Sequence, residues 1–191
     1  MRPSEATTVA ALHREQLDQA FLSTLGVRFL TQLYRGIARS HHGFVLVAVD
    51  NGDRVVGFIS GSSNTKKLYR SVLLRRGWIM GVLLLPRLLR ISTIRRVGQS
   101  LRYPGTSEGT FPHAELLSVA VCADMQGKGA AKALLDALLA EFRRRGVDEV
   151  RVVVGAKLDR ANAYYIKHGF VHAGTITSHD ATANVYLRST E

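Results

Sequence analysis

The run His113-Ala-Glu-Leu-Leu-Ser-Val-Ala-Val121 is followed, after a short connection, by Gln126-Gly-Lys-Gly-Ala-Ala131 and then by an amphipathic run that extends to residue 145. The alternation of apolar residues up to Val121 predicts a strand. Apolar residues that recur on one face over residues 132–145 predict a helix that ends at Gly146. The glycine turn between them leaves backbone N–H groups free at the positive end of the helix dipole, which predicts a phosphate-binding site.

The spacing of the turn distinguishes between classes of phosphate loop. Neither the Walker pattern Gly-x-x-x-x-Gly-Lys-Ser/Thr nor the dinucleotide-binding pattern is present. The pattern Gln/Arg-x-x-Gly-x-Gly/Ala is filled by Gln126, Gly129 and Ala131. The turn therefore resembles the pyrophosphate loop of the GNAT superfamily of acetyl-CoA-dependent N-acetyltransferases, and its position between a strand and an amphipathic helix strengthens that resemblance.

A second motif lies in residues 160–170. It is similar to the GNAT motif Asn-x-x-Ala-x-x-Phe-Tyr-x-x-x-Gly-Phe. The residues in register are Ala161, Tyr165, Gly169 and Phe170. The asparagine of the family falls at Leu158, and Asn162, one helical turn away, is the candidate to replace it.

The order of predicted elements agrees with the same family. We expect two helices within residues 1–42, a hairpin at 44–49 and 54–60, and, after the central helix, a strand at 149–154, a helix at 160–167 and strands at 171–177 and 183–188. The resemblance implies an α/β (α+β) fold with a mixed, mostly antiparallel seven-stranded sheet flanked by helices. This sheet would be splayed between its fourth and fifth strands, with residues 115–121 as the fourth.

The resemblance also implies acetyl-CoA as the co-substrate, bound in the splay, and no metal. The backbone of Val119, Ala120 and Val121 would pair with the pantetheine amides. The pyrophosphate would be held by the loop residues Gln126, Gly127, Lys128, Gly129, Ala130 and Ala131. A Cβ at Gly129 would block close approach of that group. Asn162 completes the set of predicted cofactor-binding residues.

Acyl transfer to an amine moves two protons, and two residues are candidates to carry them. Tyr165 is protonated at neutral pH, matches the family's tyrosine near the thioester sulfur, and is the predicted acid. Glu115 lies on the predicted fourth strand, where many GNAT enzymes place a carboxylate, and is the predicted base, with His113 in reserve. The predicted activity is direct acetyl transfer from acetyl-CoA, in a ternary complex, to a primary amine of a small molecule or a protein.

One basic segment carries most of the net charge of +11. Residues 66–102 contain ten Lys and Arg, no Asp or Glu, and an apolar run from Trp78 to Leu85. That run is shorter than the roughly 20 residues that span a bilayer. We predict a helical insertion before the fourth strand, broken into two helices at Pro86. Three interpretations stay open: a lid over an acidic acceptor, a peripheral element on an anionic membrane, or a helical pair packed on the sheet or on the second subunit of a homodimer.

The remaining composition is typical of one domain over residues 1–191. With 46% hydrophobic residues, the chain is long enough for a well-packed core. The single cysteine, Cys122, can form neither an internal disulfide nor a cysteine-based zinc site, and residues 1–18 lack a signal-peptide apolar region. We therefore expect a cytoplasmic location, or a peripheral one at the membrane.

A function of a different class also remains open. It is a membrane- or nucleic-acid-associated binding protein that is built on the same scaffold and uses residues 66–102. For the enzyme itself, nucleic acid is not an expected partner.

Overall fold

The central sheet is mixed and open. The computed structural model describes residues 1–18, 21–88, 111–178 and 181–191. Within them the strands are β1 (Gly43–Val49), β2 (Val55–Ser62), β3 (Glu115–Val121), β4 (Glu149–Gly155), β5 (Val171–Ser178) and β6 (Ala181–Ser189). Their order is β1-β2-β3-β4-β6-β5, and every neighbouring pair is antiparallel except β3 and β4. The predicted mixed, mostly antiparallel sheet is confirmed.

The strand count differs from the expected seven. The six strands of the described residues are those whose apolar alternation is visible in the sequence. The seventh was implied by the family resemblance alone, and the described residues ahead of β1 are helical where they have regular structure. The strand predicted as the fourth is therefore β3, and the predicted splay lies between β3 and β4.

Helices cover both faces of the sheet. They are α1 (Ala6–Gln16), α2 (Val27–Arg39), α3 (Thr65–Leu88), α4 (Ala130–Arg144) and α5 (Asp159–Lys167). One core cluster, which includes Leu138 and Tyr165, joins α4 and α5 to the sheet, and the other, which includes Leu30 and Leu68, joins α1, α2 and α3 to it. Successive strand residues alternate between these clusters, as the pleat requires. Among the described helices, none is long and apolar enough to cross a bilayer.

The predicted helix break at Pro86 is wrong for the described part of the insertion, because α3 continues through Pro86 to Leu88. A proline removes one backbone hydrogen bond, but the helix persists where packing stabilises the preceding turns. Here Leu68, Val72 and Leu84 are buried in the cluster shared with α2. The predicted second helix beyond Pro86 falls outside the described residues.

A buried histidine in the α1–α2 cluster makes the stability of the fold depend on pH. His13 Nδ1 lies 2.6 Å from the Tyr34 hydroxyl, and burial lowers the pKa of His13 from 6.5 to about 4. The unfolded chain therefore binds the proton more readily between these values. Stability should be constant above about pH 6.5 and fall by roughly 3 kcal/mol as the pH drops to about 4.

Urea unfolding at a series of pH values measures this dependence. The variant His13→Leu should lose most of the slope between pH 6.5 and 4, even though its overall stability is lower. An equal slope in both proteins would assign the effect to other groups.

Candidate active site

The sheet opens between β3 and β4. These parallel strands pair only at Glu115 with Arg151 and at Leu116 with Val152. On its other edge, β3 pairs with β2 through a register shift that leaves Leu117 without a partner there. A bulge of this kind bends and twists a strand. The bulge follows directly on the last β3–β4 pair, and from Leu117 to Val121 no described residue of β4 pairs with β3. The predicted splay is therefore present, and it exposes an edge of β3.

The loop after β3 is shaped to receive an anion. Gly127 and Gly129 have φ of 75° and 85°, a region that favours glycine. Gly129 is the N-cap of α4, which begins two residues earlier than predicted. An added Cβ at either glycine would meet no heavy atom within 4 Å, so both face open space. Among the described residues, no backbone carbonyl accepts from the N–H groups that open α4 at residues 130–132. These free donors sit at the positive end of the helix dipole.

The side chain of Gln126 fastens this loop to its surroundings. Its Nε2 donates to Gln16 Oε1 at 3.1 Å and to the Val121 carbonyl at 3.3 Å. The loop is thereby tied both to the end of α1 and to the end of β3. The glycine turn and the open strand edge are consequently held next to each other.

Tyr165 is buried on α5 in the cluster that lies under α4. Its ring makes edge-to-face contacts with Phe170 at 5.2 Å and with Tyr164 at 5.5 Å between ring centroids. Burial raises the pKa of Tyr165 above its usual value, so the hydroxyl is protonated at neutral pH. Among the described residues, none forms a hydrogen bond with that hydroxyl. The hydroxyl is therefore protonated and makes no hydrogen bond to a described residue.

Glu115 forms a buried ion pair at the root of the splay. Glu115 Oε2 accepts three hydrogen bonds. The donors are Arg151 Nη2 at 2.8 Å, Arg151 Nε at 3.0 Å and the Thr65 hydroxyl at 3.3 Å. Glu115 and Arg151 are 7% and 2% exposed. Burial raises the pKa of Glu115, and Arg151 opposes that rise. Among the described residues, none donates to Oε1, so this oxygen is left without a hydrogen-bond donor.

Comparison with known proteins identifies the family to which this chain belongs. The Acetyltransferase (GNAT) family matches residues 9–170, more than half of the chain. The chain belongs to the GNAT acetyltransferase family. No curated protein matches it in sequence. Membership indicates acyl-CoA-dependent N-acetyltransferase activity in general.

Solved structures show the same fold at low identity. A spermidine N-acetyltransferase SpeG chimera from Vibrio cholerae and hSSAT has a TM-score of 0.63 at 14% identity, over 100% of this chain and 92% of the other. SsHAT has a TM-score of 0.66 at 18% identity, over 100% and 96%. Ard1 from Thermoplasma volcanium has a TM-score of 0.58 at 20% identity, over 99% and 93%.

Asn162 is engaged elsewhere in this GNAT acetyltransferase. Its Nδ2 donates to the carbonyls of Gly155 at 3.0 Å and Leu158 at 2.8 Å. Its Oδ1 accepts from Asn184 at 3.0 Å and Tyr186 at 2.8 Å. The amide can make no further strong hydrogen bonds. The geometry favours a structural role, in which Asn162 joins α5 to β4 and β6, over the predicted contact with the cofactor.

The structure also shows the positions of His113, the reserve candidate for the base, and of Arg151, which was not predicted. His113 is exposed just before β3, and its carbonyl, rather than its ring, contacts Thr65 at 3.1 Å. Arg151 is a residue that the sequence patterns above did not predict. Its position as a lone arginine within the apolar run of β4 does, however, indicate a buried charged partner. No group of three metal-ligating side chains occurs in the part of the chain that the structure describes.

Proposed function

We propose that this GNAT protein moves the acetyl group of acetyl-CoA to a primary amine by direct attack in a ternary complex. The observation that carries the proposal is the continuity of the open β3 edge with the glycine loop that follows it, where the first N–H groups of α4 have no backbone acceptor. The N–H and C=O groups of Val119, Ala120 and Val121 would pair with the pantetheine amides, and the loop Gln126–Ala131 would hold the pyrophosphate. Lys128 is exposed on this loop and adds positive charge.

The reaction then needs two proton movements. The acceptor ammonium first loses a proton to a base, and its nitrogen attacks the thioester carbon to form the C–N bond. As the C–S bond breaks, an acid gives a second proton to the CoA thiolate and recovers one from the acylated nitrogen. Glu115 Oε1 is proposed to take the first proton, directly or through water, because the other oxygen is held by Arg151 and Thr65. Tyr165 is proposed to supply the second.

The proposal has a direct test in calorimetry with acetyl-CoA, followed by thiol release with a panel of primary amines. Binding together with amine-dependent release of free CoA is the expected result. An absence of binding at high micromolar acetyl-CoA would reject the enzyme and favour a binding protein on this scaffold.

The acceptor is proposed only as a primary amine, free or borne by a protein. Structurally similar proteins include a spermidine N-acetyltransferase and the ribosomal-protein-S18-alanine N-acetyltransferase from Escherichia coli. Both small-molecule and protein amines therefore belong in the panel.

Replacing Tyr165 by phenylalanine should lower turnover by about 100-fold and leave acetyl-CoA affinity nearly unchanged, because general-acid catalysis is lost without altering the ring packing. Tyr164→Phe is the matched control, since its hydroxyl is buried without a hydrogen-bond partner among the described residues. Steady-state rates and calorimetry on both variants separate the two effects. Equal turnover in the two variants would remove Tyr165 from the proposed chemistry.

A further inference from the structure

The exposed side of α3 carries an apolar stripe that the acetyl-transfer site does not use. Leu74, Trp78 and Val82 follow one another at four-residue intervals and so share one helical face. They are 74%, 74% and 59% exposed. Lys67 and Arg70 continue the same face toward the start of the helix, and we call these five residues the outer face of α3.

The inner side of the same helix explains why the outer face remains exposed. Leu68, Val72 and Leu84 are buried against the α1–α2 cluster. Arg76 donates to the Gln32 side chain of α2, and Arg75 donates to the Arg39 carbonyl at 3.4 Å. These contacts fix the orientation of α3 about its own axis where it packs along α2. The outer face is therefore presented to solvent by packing on the opposite side.

The charge around the apolar stripe has a single sign. Lys67, Arg70 and Arg75 are exposed, and no described acidic side chain forms an ion pair with any of them. In the sequence, residues 66–102 hold ten basic residues and no acidic one. A large apolar patch bordered by uniform positive charge is typical of an interaction site, and its electrostatic complement is an anionic surface.

We propose that the outer face of α3 docks on the surface of an anionic lipid bilayer. Leu74, Trp78 and Val82 enter the boundary between headgroups and acyl chains, while Lys67 and Arg70 lie against lipid phosphates. Such a helix lies in the plane of the membrane interface and does not cross it. A bilayer accounts for the apolar and the cationic parts of this face together, whereas a nucleic acid backbone accounts for the charges alone.

The chain contains a built-in reporter for this contact, because Trp78 is its only tryptophan. The probes are vesicles of phosphatidylcholine alone and vesicles of phosphatidylcholine mixed with phosphatidylglycerol. With the mixed vesicles, we expect the protein to sediment, the emission of Trp78 to shift to shorter wavelength and its quenching by acrylamide to decrease. The binding should weaken as salt is raised. With neutral vesicles, none of these changes should occur.

Variants on the outer face have matched controls elsewhere on the surface. Lys67→Gln combined with Arg70→Gln should lower partitioning at low salt by roughly 30-fold, because each charge near an anionic surface contributes about a factor of five. Lys157→Gln combined with Lys167→Gln, two other exposed lysines, should change it little. Leu74→Ser should lower partitioning by about 10-fold, whereas Val171→Ser, which removes a comparably exposed side chain from β5, should not.

Several outcomes would overturn the proposal. One is an absence of sedimentation with the mixed vesicles, and another is an equal loss of partitioning in the test and control variants. A third is a Trp78 that is shielded from acrylamide without vesicles, which would mean that the chain or a second copy covers this face. A shift caused by a duplex oligonucleotide and not by vesicles would also overturn it. Thermal unfolding and acetyl-CoA binding of each variant confirm that the fold is retained.

Discussion

Gly129→Asp is expected to lower the affinity for acetyl-CoA by about 100-fold or more, equivalent to roughly 2.7 kcal/mol. Gly129 is the N-cap of α4, and a Cβ added there would meet no protein atom within 4 Å. The new carboxylate would therefore extend into the space assigned to the pyrophosphate. It would repel that group and also accept the hydrogen bonds of the free N–H groups of α4.

The same substitution should leave the protein folded, because aspartate is a favourable N-cap residue and tolerates a positive φ better than most residues. Gly129→Asn repeats the shape and the backbone cost without the charge, and an intermediate affinity is expected. Gly146→Asp places the same carboxylate at a glycine with φ of 69° and open surroundings, just beyond the other end of α4, and should leave the affinity unchanged. Normal acetyl-CoA binding by a folded Gly129→Asp variant would contradict the proposed location of the pyrophosphate site. Calorimetry gives the affinities.

Glu115→Gln is expected to destabilise the protein by about 3 kcal/mol, because it leaves the buried Arg151 guanidinium without a charged partner. Urea unfolding at neutral pH measures the loss. Glu115→Met combined with Arg151→Met removes both charges and should recover most of the stability, since an apolar pair of similar volume can replace a buried ion pair. If the single and the double variant are equally unstable, the ion pair is not what holds this end of β3 to β4.

The same pair of variants tests the proposed base. If Glu115 Oε1 takes the proton of the amine, the double variant should be stable and still lack turnover, and the single variant should lose activity most strongly on the low-pH limb of its rate profile. If the double variant recovers turnover along with stability, the role of Glu115 is confined to holding the splay. Acetyl-CoA binding is the control that the site itself is intact.

Much of the site followed from local patterns. The alternation that ends at Val121, the glycine turn and the amphipathic run of α4 each depend on residues that are close in sequence, so the strand, the loop and the helix could be predicted together. The order of helices and strands then agreed with one family. The departures occur where distant residues decide. Packing on α2 carries α3 past Pro86, and the seventh strand expected from the family has no counterpart in the described residues.

The sequence by itself determined the family, the six strands of the described sheet and the glycine turn before α4, because periodicity and glycine conformation act over a few residues. Only the tertiary structure decided how individual polar groups are used. Glu115 meets Arg151 because the parallel register of β3 and β4 places them opposite each other. The side-chain amide of Asn162 makes all its hydrogen bonds to groups of β4, of β6 and of Leu158, the residue before α5. Partners of buried polar side chains are set by strand register and helix packing, which short-range pattern does not encode.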